Sequence, residues 1–104
     1  MAFRISLRAT IVGGSAEGMA DSVAAVAEHL DDIQRNTPPF LGFTLSADRK
    51  ARTALFSMYV DEDDPEQAVL AAHAWAVTAI NAAGDGTREW ATFAHPEESE
   101  RVPA

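Results

Sequence analysis

From Phe3 to Ile11 every second residue is apolar, and no other stretch of the chain restricts the fold so tightly. Phe3, Ile5, Leu7, Ala9 and Ile11 fall on one side of an extended backbone, and Arg4, Ser6, Arg8 and Thr10 on the other. That is the pattern of a strand buried on one face. Gly13-Gly14-Ser15 breaks the alternation, Ser15 can cap, and Glu17 suits the positive start of a helix. Met19, Val23, Val26, Leu30 and Ile33 then share an arc of about 80° on a helical projection, opposite Asp21, Glu28 and Asp32. Asn36-Thr37-Pro38-Pro39 ends this helix, because proline lacks the amide donor and restricts the residue before it.

Two more alternations follow. Leu41, Phe43, Leu45 and Ala47 oppose Gly42, Thr44 and Ser46, and Ala54, Phe56, Met58 and Val60 oppose Leu55, Ser57 and Tyr59. The short polar Asp48-Arg49-Lys50-Ala51 between them reads as a hairpin turn. A second helix starts where Asp64 can cap, Pro65 fits the first turn and Gln67 completes a capping-box pattern, and Gly84 and Gly86 mark its end. Glu89 to Ala94 reads as a short last strand with Trp90 and Phe93 on opposite faces. The order β-α-β-β-α-β predicts an α+β, ferredoxin-like sandwich: a four-stranded antiparallel sheet with two helices on one face. Residues 1–94 form the expected single domain and 95–104 a charged tail expected to be flexible. This is a likeness of fold, which constrains chemistry little.

Composition narrows the partners. The chain has 104 residues and a formal charge of -8, so long-range repulsion opposes nucleic acid and anionic membrane surfaces. No segment is long and apolar enough to span a bilayer. The absence of cysteine excludes disulfides, thiolate nucleophiles and Cys-ligated metals. The start, Met1-Ala2-Phe3-Arg4-Ile5-Ser6, does not read as a secretory signal, so cytoplasmic residence is expected. Alanine fills 21 positions, a side chain that buries little area, and association with another chain could supply the missing burial.

The second helix is the most informative stretch, since Ala68 to Gly84 contains no charged residue. An uncharged perimeter suggests burial on two sides. Val69, His73, Ala76 and Ile80 form the expected core arc. Ala68, Ala72, Trp75 and Ala79 form a flatter seam expected to pack on a second chain, with the indole as anchor. His73 reads as a satisfied core histidine, because no second histidine on that helix stands at metal-ligand spacing. The Asp61-Glu62-Asp63-Asp64 run lacks the spacing of a calcium loop and reads as a strand exit and helix start. Gly13 to Gly18 is not a Walker loop, and Glu17 would repel phosphate.

The outward sheet face offers Arg4, Arg8 and Tyr59, which could grip a carboxylate or a planar anionic ligand. No nucleophile with an adjacent base can be assembled from spacing. The expected function is therefore a non-enzymatic interaction or self-associating module, a dimer first, with no cofactor and no metal. The alternative is a small anionic-ligand domain, sensor or simple enzyme, using the open sheet face.

Overall fold

A computed structural model describes residues 2–11, 16–83 and 98–102, with side chains described over 2–11 and 20–83. Its elements run β1 (Ala2–Thr10), α1 (Ala16–Asn36), β2 (Phe40–Asp48), β3 (Thr53–Asp61), α2 (Pro65–Ala82) and β4 (Glu98–Val102). β1 and β2 flank β3, both antiparallel to it, with Ser6 opposite Ser57 and Thr44 opposite Ser57 at the centre. β4 pairs antiparallel with the other side of β1, giving the order β2-β3-β1-β4.

Period-two patterning decides which face is buried. Phe3, Ile5, Leu7, Ala9 and Ile11 from β1 and its end, with Ala54, Phe56, Met58 and Val60 from β3, form one buried layer. Val26 and Leu30 of α1 and Ala68, Ala72, Ala76 and Ala79 of α2 close over it. This confirms the α+β arrangement of a sheet with two helices on one face.

Local chemistry fixes the joints. Asp64 sits in extended conformation and its side chain accepts from the Glu66 amide at 2.9 Å, with Pro65 opening α2, as the sequence predicts. In the β2–β3 turn, Asp48 Oδ1 accepts from the Lys50 and Ala51 amides at 3.0 and 3.1 Å. Arg52 takes a left-handed φ of 53°, which costs about 1 kcal/mol outside glycine. Two bonds to Ile11 hold it: the Ile11 amide donates to the Arg52 carbonyl at 2.8 Å, and Arg52 Nε donates to the Ile11 carbonyl at 3.3 Å.

The strand expected over Glu89–Ala94, with Trp90 and Phe93, lies outside the described residues. A strand pairs with β1 at Glu98–Val102, inside the stretch 95–104 expected to be a charged, flexible tail. Backbone pairing along β1 holds it there, so it needs no apolar alternation of its own.

Candidate functional site: the open face of the sheet

With both helices on one side, no described element covers the other. Its middle row is small and polar: Thr44, Ser57 and Ser6 lie side by side. On one side stands the row Gly42, Tyr59, Arg4; on the other, Ser46, Leu55, Arg8. Of these, Arg4, Ser6, Ser57 and Tyr59 are half-buried by their neighbours, whereas Arg8 and Leu55 are exposed, Leu55 to 37%. The result is a shallow trough of hydroxyls between two ridges.

Of the three residues expected to meet a ligand, Arg4 and Tyr59 are direct cross-strand partners. Arg8 lies four residues along β1 from Arg4, about 13 Å at strand rise. Arg4 with Tyr59 is therefore the pair that one small ligand can span. Sequence reasoning missed Gly42, the neighbour of Tyr59 on its other side. A Cβ built there meets nothing within 4 Å, so the tyrosine is bordered by a gap that a planar group could enter. Gly42 follows a β-bulge, where the register shifts between Phe40 and Gly42; the extra residue turns Phe40 into the core and leaves Leu41 exposed, while Gly42 keeps the alternation with Thr44 and Ser46.

The seam expected to form an interface on α2 is corrected by the packing. Ala68, Ala72 and Ala79 have no exposure, and they face the chain's own sheet together with Ala76. Trp75 stacks on Phe40 of β2, with ring centroids 4.6 Å apart and planes 3° from parallel. It is an intramolecular anchor. The physical reason is closeness: alanines let the helix axis settle near the sheet, and the bulky Trp75, Val69 and Ile80 fill the flanks.

Of the arc expected to be buried, Ala76 is in the core, whereas Val69, His73 and Ile80 lie on its flanks, and His73 is half-buried rather than central. Outward of these lies Leu70, 62% exposed beside a shallow hollow lined by Pro65, Glu66 and Val69. Among the described residues no group of three or more histidine, aspartate or glutamate side chains could hold a metal. Asp64 of the acidic run is occupied as the α2 cap. Gly13-Gly14-Ser15 lies outside the described residues, as does His95, and His29 is half-buried on α1. No described helix is long and apolar enough to cross a membrane.

No protein-family model matches the chain, and no curated protein matches it significantly. Among solved structures it is similar to a structural-genomics protein, YJCS, with a TM-score of 0.57 and 8% identity over 99% of this chain and 100% of that one. It is also similar to a protein from Chloroflexus aurantiacus J-10-fl provisionally described as an antibiotic biosynthesis monooxygenase, with a TM-score of 0.49 and 15% identity over 100% of this chain and 94% of that one. At 8% identity the likeness to YJCS is one of fold and carries no activity across.

Proposed function

We propose that the chain is a ferredoxin-like βαββαβ domain that works as a self-associating module, a dimer first, and that its contact surface is the open face of the sheet. One observation carries this reading: the face has a flat central row, Thr44-Ser57-Ser6, between two low ridges. Small residues there allow a second sheet to approach to about 10 Å, the usual spacing of packed sheets. The thin core supplies the driving force, since six of the sixteen buried apolar residues among those described are alanine and little area is buried by each.

The test is the solution mass by light scattering across a concentration series, for the wild type and for Ser57→Arg. A dimer that the substitution converts to a folded monomer supports the reading. A monomeric wild type, or a dimer indifferent to Ser57→Arg, refutes it.

A second reading is favoured by the Arg4–Tyr59 pairing and the gap at Gly42. The guanidinium can donate to a carboxylate while the tyrosine ring lies against a planar body, so a small aromatic acid fits. Benzoate titration followed by thermal shift tests it; a response that Arg4→Ala abolishes supports ligand binding, and no response to benzoate counts against it.

A further inference from the structure

Arg4 and Tyr59 make one wall of a binding site, and no described element of the chain makes the opposite one. They stand side by side on β1 and β3, with Gly42 beyond the tyrosine on β2, and all three are half-buried in a shallow surface. A planar molecule laid on that surface keeps its other side in water, whereas small-molecule sites bury about 70–90% of their ligand. A carboxylate bound to a guanidinium in open water also gains little, because both charges stay solvated and screened. Arg4, Tyr59 and Gly42 are therefore half of a site.

A second copy of the same face provides what is lacking. Sheets that pack face to face stand about 10 Å apart. A ring lying flat between two walls needs about 3.5–4 Å to each, or about 7–8 Å in all. At Gly42 no side chain takes up that distance, and a Cβ there would meet nothing within 4 Å. The remaining space of about 2–3 Å suits a facing side chain as short as those of Ser6, Thr44, Ser46 and Ser57. β4 sets Glu100 opposite Arg4 in register on the other side of β1. A guanidinium carries five donors in a planar fork and one carboxylate takes two, so an acid of the chain and the carboxylate of a ligand can share it. Once the second sheet excludes water, the bond between guanidinium and carboxylate strengthens, and the covered charge is accompanied by its counter-charge. We infer that the open face binds a small aromatic monocarboxylate between two copies of this chain, with Arg4 and Tyr59 of one copy as one wall and the open face of the second copy as the other, so that ligand and dimer stabilise each other. This rests on the open face being the contact surface and on Arg4 and Tyr59 taking the acid, as proposed above.

Sedimentation equilibrium of the full chain with and without saturating benzoate tests it, for the wild type, Arg4→Ala and Ser57→Arg, with circular dichroism verifying that each is folded. Should Arg4→Ala not fold, Gly42→Val, which fills the space beside Tyr59, takes its place. Because coupling between two binding events is reciprocal, benzoate that prefers the dimer lowers the dimer's dissociation constant, here on the order of tenfold. Arg4→Ala removes this response, and Ser57→Arg removes both the dimer and the response. Benzoate that binds, by its thermal shift, yet leaves the dissociation constant unchanged overturns the inference, as does benzoate that dissociates the dimer; either leaves Arg4 and Tyr59 as a one-sided site. A tightening that Arg4→Ala retains also overturns it, because the acid then binds elsewhere. A wild-type dimer with no response to benzoate in either measurement overturns it together with the ligand reading and leaves the open-face dimer standing. A wild type that stays monomeric with and without benzoate removes the open-face dimer and the shared site with it.

Discussion

Replacing Trp75 with alanine separates an internal anchor from an interface residue, because the two roles predict opposite outcomes. Trp75 lies on Phe40 at 4.6 Å with nearly parallel rings, and such a pair contributes about 0.5–1.5 kcal/mol beyond the area it buries. Truncating a fully buried tryptophan costs about 3–5 kcal/mol. Trp75 is only partly buried, so about half of that applies, and the expected loss with stacking included is about 2–4 kcal/mol. A domain of this length holds about 5–15 kcal/mol in total, so the variant folds but melts on the order of 10–20 °C lower. Urea unfolding followed by far-ultraviolet circular dichroism measures the loss without relying on the indole that has been removed. Phe40→Ala and the double variant complete a cycle, and the coupling should fall near 1 kcal/mol. If Trp75→Ala leaves stability unchanged but dissociates a dimer, the packing argument fails and the exposed-seam expectation is restored.

The alanine row predicts its own sensitivity: Ala72→Leu forces extra carbons between α2 and the sheet at a position with no exposure, and should cost about 1–3 kcal/mol in the same urea assay. Asp64→Ala removes the oxygen that accepts from the Glu66 amide and should cost about 1 kcal/mol in the same assay. At Gly42 a Cβ meets nothing, so Gly42→Ala should leave stability unchanged or raise it by about 0.5 kcal/mol. The bulkier Gly42→Val should weaken any benzoate-induced thermal shift by filling the space beside Tyr59.

The three long strands were legible because each is wet on one face and dry on the other, so a period of two is written directly into their residue types. The helix start at Asp64-Pro65 was equally plain, since the cap needs particular side chains at particular places. β4 was not legible for the converse reason. Glu98-Ser99-Glu100-Arg101-Val102 holds one apolar residue, and it joins the sheet through backbone pairing with β1, to which residue type contributes little. α2 misled in another way. With almost no charge on its perimeter, periodicity could not say which of its faces met the sheet. Size decided that, and alanine's smallness, read from sequence as flatness suited to a second chain, is what admits the helix to its own core. The Arg4–Tyr59 pair was readable because the usual strand order makes β1 and β3 neighbours. The alternation of Leu41, Phe43 and Leu45 conceals the bulge, which buries Phe40 and leaves Leu41 exposed.

The sheet edges bear on why a second copy should meet the face instead of extending the sheet. An exposed edge is a template for another strand, and proteins blunt it with charge, proline and bulges. Beyond β1 the edge is β4, whose sequence holds two glutamates and an arginine in five residues. The other edge, β2, follows Pro38-Pro39 and carries the bulge at its start, where Gln34 Nε2 donates to the Leu41 carbonyl at 3.0 Å. That bond takes one backbone acceptor, and the bulge breaks the spacing that an added strand would have to match. Both edges thus resist lateral pairing. The open face carries charge too, in Arg4 and Arg8, but its middle presents short hydroxyl side chains, an exposed Leu55 and a tyrosine bordered by empty space. Association by the face therefore costs less rearrangement than association by an edge.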